Sequence, residues 1–152
     1  MSGVGPGAVS ALALQGRIAV VVGGSSGIGL ATARRLEAEG ALPVLVGRSQ
    51  DKLREAAGTF EHRVAYHAVD VGDASATERL FETIGTFDHL VIAAGGNPAW
   101  GPLLELDPDA VRQCMNGKFF VHFHASRFGA PHLRAPGSIT FISGGTARAA
   151  IP

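Results

Sequence analysis

Gly23, Gly27 and Gly29 form a Gly-x-x-x-Gly-x-Gly run that encloses Ser25, Ser26 and Ile28. Residues of these types at this spacing suit one task, the cradling of a diphosphate. A side chain would hold the ligand away from the backbone. Glycine at the first position permits a tight turn, at the second lets the main chain approach the phosphates, and at the third lets a helix pack closely on a strand. The unpaired N–H groups of that helix's first turn point at the anion, and the two serine hydroxyls add donors. The spacing alone is a weak signal, because 21 glycines among 152 residues produce it by chance about 0.4 times per chain. The surrounding elements have to decide.

Those elements alternate. Ile18 to Val22 is a continuous apolar run, as a strand buried on both faces requires, and Arg17–Val22 reads as the first strand. A helix over Ile28–Glu39 comes next, with Ile28, Ala31, Ala33 and Leu36 as its apolar side and Gly40 as its stop. Leu42–Val46 is a second strand with Pro43 near its entry, Ser49 caps a helix over Gln50–Ala57, and Arg63–Val69 is a third strand. A third helix starts at Asp73 or Ser75 and reaches Ile84, and His89–Ala93 is a fourth strand. Pro108 opens a long helix from Asp109 to Phe128, whose evenly spaced Val111, Met115, Phe119 and Phe123 are expected to lie along the sheet. Ser138–Ile142 is the fifth strand. Strands and helices in alternation with right-handed crossovers predict an α/β domain over residues 14–152. Its doubly wound parallel sheet has the order 3-2-1-4-5, with a ligand crevice at the carboxyl ends of the first and fourth strands. The glycine run opens there. Residues 1–13, rich in Gly, Ala and Ser, read as a flexible tail.

Thirteen basic and thirteen acidic side chains cancel, so the charge balance does not point to nucleic acid or to an anionic membrane surface. No apolar run approaches the ~18 residues that span a bilayer, and the N-terminus lacks the basic start and apolar core of a leader. The single Cys114 precludes an internal disulfide and a multi-cysteine metal site. Together these features predict a soluble, cytoplasmic protein. His122 and His124 point to different sides of one helix and no His-Glu-x-x-His occurs, so no metal site is expected.

With these elements in place, the chain resembles the short-chain dehydrogenase/reductases from Leu14 to Pro152. The resemblance implies NAD(P) bound on a Rossmann-type sheet and hydride transfer between the nicotinamide and a carbonyl or alcohol carbon of a small molecule. The glycine run matches the family's cofactor loop, although Val22 stands where threonine is usual. Asp70-Val71, ending the third strand, takes the place of the family's adenine contact. Ala93-Ala94-Gly95 resembles the family's Asn-Asn-Ala-Gly, with Ile92 and Ala93 replacing both asparagines. Asn116 takes the position of the catalytic asparagine, and a mid-helix asparagine is unfavourable by propensity, which itself argues for a functional reason. Cofactor choice is read at Val46-Gly47-Arg48-Ser49. An acidic residue there would bind a ribose 2′-hydroxyl, whereas Arg48 suits a 2′-phosphate and can stack on adenine. NADP(H) is therefore expected over NAD(H), with Arg48 and Ser49 in the site.

The catalytic part of the resemblance is incomplete. In the family a Tyr-x-x-x-Lys pair moves the proton and holds the ribose, a serine orients the carbonyl, and the asparagine anchors a water. Tyr66 is the chain's single tyrosine; it lies inside the third strand, and Asp70 stands where the pair would have lysine. The family's tyrosine would fall beyond Pro152. Ser143 is the candidate serine, although the family register puts Gly144 in the catalytic slot, and Thr146 is a weaker candidate hydroxyl. A protein ending at Pro152 is expected to bind dinucleotide weakly, to turn over negligibly, and to self-associate through an open fifth strand. The alternative is a non-catalytic NADP-binding or interaction module. A methyltransferase also carries a glycine loop after its first strand, but it wants an acidic residue where Arg48 stands. Trp100, after Asn97-Pro98, either lines a substrate pocket or anchors its own loop, and Cys114 reads as core packing. His122, Phe123 and Arg127 lie on the helix that commonly builds the family's subunit interface, so the resemblance implies a homo-oligomer.

Overall fold

The computed structural model describes residues 13–96 and 99–144. Five parallel strands, β1 (Ile18–Val22), β2 (Leu42–Gly47), β3 (Ala65–Ala68), β4 (Phe87–Ile92) and β5 (Leu133–Phe141), form one sheet in the order β3-β2-β1-β4-β5. Helices α1 (Gly27–Ala38), α2 (Gln50–Ala57), α3 (Ala74–Ile84), α4 (Pro108–Met115) and α5 (Val121–Gly129) connect them. This is the doubly wound order that the alternation predicts. Residues 1–12 of the tail, Asn97-Pro98 and Thr146 lie outside the described residues.

The strand period of two divides the core between the faces of the sheet. Val20, Val22, Leu90 and Ile92 pack with Leu80 and Phe81 of α3 and Val121 and Ala125 of α5, whereas Val21 and Val91 pack with Ala33 of α1 and Leu53 and Ala56 of α2. Pro43 is buried in β2 opposite Ala19, but β3 pairs only from Val44 onward, so no β3 residue meets the proline. Five expectations need correction. In α1 the buried residues are Gly29 and Ala33, with Leu30 and Leu36 partly buried, while Ile28 and Ala31 are exposed. β4 starts at Phe87 rather than His89, β5 starts at Leu133 rather than Ser138, and β3 is confined to Ala65–Ala68.

The fifth correction concerns the long helix. It is two α-helices joined by a π-helical turn, Asn116–Phe120. A π turn rotates the residues after it, so Val121, Ala125 and Gly129 meet the sheet side, and a methyl group on Gly129 would stand 3.0 Å from the Phe81 ring. Val111, Met115, Phe119 and Phe123 are exposed. Their even spacing marks the outer face, where the Phe119 and Phe123 rings stack with centroids 6.2 Å apart. Val121→Ala should therefore lower stability by about 2 kcal/mol, whereas Phe123→Ser should change the monomer by no more than about 0.5 kcal/mol. Denaturant midpoints in the opposite order would return the buried face to Phe123.

Where the strands begin, at the end of the sheet away from the glycine turn, Asp88 is fully buried. Its Oδ1 accepts from Arg17 Nη1 (3.0 Å), and its Oδ2 accepts from the Ile18 N–H (2.8 Å) and from Arg134 Nη2 (2.6 Å). Burial alone would raise this carboxyl's pKa, but the Ile18 N–H and the two guanidiniums outweigh it and bring it down to about 2. One carboxylate thus ties the entries of β1, β4 and β5 together.

Candidate functional site

The carboxyl ends of β1, β2 and β4 open onto a crevice of about 1000 Å³. Its floor is set by the glycines. Gly23 turns at φ 85° and donates its N–H to the Val46 carbonyl (2.8 Å), so the chain leaves β1 beneath the end of β2. A methyl group on Gly23 would lie 2.7 Å from the Ala94 nitrogen, and one on Gly29 would lie 2.1 Å from the Gly23 carbonyl oxygen. Both positions exclude a side chain because backbone meets backbone. Gly27 differs: its φ is 52°, and nothing lies within 4 Å of where a Cβ would stand. Its free flank lines the crevice.

The start of α1 is also left open. Ser49 caps α2, Asp73 caps α3 and Asp107 caps α4, each through a side-chain hydrogen bond, whereas Ser26 at the start of α1 makes none. Among the described residues, no acceptor takes the N–H groups from Ser25 to Ile28. Ser25, Ser26 and Ile28 line the crevice with these donors. Open backbone donors, helix polarity and a flank without side chains fit a diphosphate.

The walls come from the next loops. Arg48 stands exposed at the end of β2. Asp70 and Val71 come after β3: the Asp70 carboxylate accepts the Gly72 N–H (2.9 Å), and the Val71 carbonyl accepts from Thr77 Oγ1 (3.1 Å) and His124 Nδ1 (3.1 Å). α3 and α5 thereby fix the position of Val71. Ala93, Ala94 and Gly95 leave β4 as the opposite wall, held to β1 by the Ala93 N–H on the Val22 carbonyl (2.9 Å). Asn116 reaches the crevice at the head of the π turn. Beside it, the Gly117 carbonyl accepts the Gly96 N–H (3.1 Å), and a methyl group on Gly117 would stand 2.6 Å from the Gly96 Cα.

Two expected site residues do not line the crevice. Ser49 caps α2, accepting the Lys52 N–H at 3.4 Å, and Ser143 is exposed past the end of β5. Trp100 is 71% exposed and also stands apart from the lining, while Tyr66 packs against the core shared with α1 and α2. Sequence reasoning misses Gly72, Gly96, Gln113 and Gly117, which all line the crevice. Gly117, an isolated glycine inside a helical pattern, is the available signal. Among the described residues, no three of His, Cys, Asp and Glu converge as metal ligands.

A parallel sheet with a glycine turn and an open helix start at its switch point defines a Rossmann-type α/β protein. A sequence model of the short chain dehydrogenase family matches residues 17–152. The chain belongs to the short-chain dehydrogenase family of oxidoreductases. It is similar to a 3-dehydrosphinganine reductase of Arabidopsis thaliana (31% identical, covering 86% of this chain and 42% of that protein). It is also similar to the cis-4-hydroxycyclohexanecarboxylate dehydrogenase of Sinomonas cyclohexanicum (35% identical, covering 84% of this chain and 53% of that protein). A short-chain type dehydrogenase/reductase from Mycobacterium ulcerans superposes with a TM-score of 0.81 at 29% identity, covering 88% of this chain and 53% of that one. The chain thus spans about half the length of the curated relatives it matches.

Proposed function

We propose that this chain forms the cofactor-holding half of an NADP(H)-preferring dehydrogenase or reductase acting on a carbonyl or alcohol carbon. The carrying observation is the uncapped start of α1, whose open N–H groups and bare Gly27 flank face a crevice with Arg48 at one side. Gly23, Ser25, Ser26, Gly27, Ile28 and Gly29 would hold the diphosphate, Asp70 and Val71 the adenine, and Arg48 a 2′-phosphate. Ala93, Ala94 and Gly95 would border the nicotinamide. When bound, this cofactor supplies or accepts the hydride. Asn116 would anchor a water through the π turn, since such turns recur where a helix backbone is put to use.

Arg48→Asp should reverse the preference between NADPH and NADH, because it replaces a cation suited to a phosphate with a carboxylate suited to a hydroxyl. Fluorescence titration of both nucleotides against parent and variant checks this, and equal curves for the unmutated protein would refute it. Gly144 at the position of the family's serine, with Ser143 exposed past β5 and outside the crevice lining, favours a second reading as a non-catalytic NADP-binding module. Ketone-dependent oxidation of NADPH separates the two.

Among the described residues, no helix is long and apolar enough to cross a membrane. The exposed Met115, Phe119 and Phe123 of the outer face support self-association through α4 and α5. A cytoplasmic homo-oligomer is the assembly we infer.

A further inference from the structure

The β4 wall of the crevice carries a cation that none of these roles uses. Lys118 lies in the π turn two positions after Asn116, and its side chain reaches back over Gly95. A methyl group on Gly95 would stand 2.7 Å from Lys118 Nζ and 3.0 Å from its Cε. Gly95 lines the crevice, and the ammonium lies beside Gly95, with Lys118 itself outside the lining. Among the described residues, no carboxylate pairs with this ammonium. The Lys118 main chain is held separately: its carbonyl accepts from His122 Nδ1 (2.6 Å), and the His122 ring stacks on Phe141 at the end of β5, centroids 5.7 Å apart.

An ammonium offers three donors, and holding its long stem against a glycine costs rotamer entropy. An acceptor that arrives with a ligand offsets that cost. The position in the sheet says which ligand. Arg48 lies at the end of β2, Lys118 lies against the loop after β4, and β1 with its glycine turn stands between them. The backbone donors of the glycine turn and Arg48 already match the phosphates of a dinucleotide. Lys118 is left for a molecule bound on the far side.

We infer that Lys118 recognises a carboxylate on the substrate through a charge-assisted hydrogen bond from its ammonium. This rests on the dehydrogenase reading above and narrows it to substrates whose reacting carbon belongs to an organic acid. A neutral analogue of the same shape would leave the ammonium without its acceptor.

The chain has two lysines, Lys52 and Lys118, and Lys52 lies on α2. Reductive methylation with ¹³C-formaldehyde keeps the charge and makes each lysine visible by NMR, with Lys52 as an internal control. The protein is first titrated with NADPH, then with cyclohexanecarboxylate or cyclohexanecarboxamide as matched probes. The carboxylate should move the Lys118 signal saturably, the amide should not, and Lys52 should stay in place. Lys118→Arg should keep the carboxylate affinity within about threefold, and Lys118→Gln should lose about tenfold or more. A Lys118 signal that shifts fully with NADPH alone, that answers both probes equally, or that answers neither overturns the inference. NADPH binding with any of those results leaves the dehydrogenase reading standing, whereas absence of NADPH binding overturns both.

Discussion

Gly29→Ala is expected to abolish dinucleotide binding and to lower the stability of the fold by about 3 kcal/mol, which is a fall in Tm of about 6–12 °C for a domain of this size. The added methyl would stand 2.1 Å from the Gly23 carbonyl oxygen. Neither partner is a side chain that can swing away, so relief requires α1 to lift off β1 and distorts the turn that frames the crevice. Gly27→Ala is the informative contrast. No atom lies within 4 Å of that site, although φ is 52°, so the variant should lose only about 1–2 kcal/mol from the left-handed backbone. Its dinucleotide affinity should still fall, because the methyl group enters the flank facing the ligand. Thermal melts beside NADPH titrations check both variants. A Gly29→Ala protein that melts and binds like the parent would show that the two backbones do not meet.

Asp88→Asn should cost about 3 kcal/mol at neutral pH, because it leaves Arg17 and Arg134 without the carboxylate they share. The dependence on pH is set by the direction of the shift. The folded carboxyl has a pKa of about 2 against 3.8 as the ordinary value. Its stabilising contribution is therefore complete above about pH 4 and is lost as pH falls toward 2. The asparagine variant lacks that proton-linked term, so parent and variant should converge across the same window. Urea unfolding at a series of pH values measures it, and a gap that stays constant from pH 7 down to pH 2 would sink the assignment. Neither guanidinium reaches the crevice, so dinucleotide affinity above pH 5 should change only through stability.

The parts legible in the sequence are those whose causes are local. Ile18 to Val22 running directly into Gly23 determines a buried strand and a turn within a dozen residues, and the crevice residues of that turn stand where the pattern puts them. Ser49 and Asp73 announce their helices because a cap acts over three positions. The features that escape depend on distant partners. An aspartate inside a strand argues against that strand until Arg17, 71 positions away, and Arg134, 46 positions away, are seen to neutralise it. That is why the sequence pattern starts β4 too late. The face of the long helix misleads for a different reason. A uniform helix carries Val111, Met115, Phe119 and Phe123 on one side, and this regularity favours burying that side. The π turn, which no single residue type encodes, gives the sheet Val121, Ala125 and Gly129 instead.

Between Asn116 and Phe120 the helix takes one residue more than an α-helical turn before an N–H meets its carbonyl. Deleting one residue there would close the wide turn to an α-helical one and leave α5 in phase, whereas deleting one between Val121 and Ala125 would swing every later side chain of α5 by about 100°. The second deletion would take Ala125 and Gly129 off the sheet together while Val121 stayed in place. The segment 99–106 connects β4 to α4 with exposed residues and can absorb the same deletion. Length changes in this chain are thus tolerated or ruinous according to whether they preserve the phase of α5, and natural variants should vary in length before Asp107 while keeping a fixed count from Val121 to Gly129.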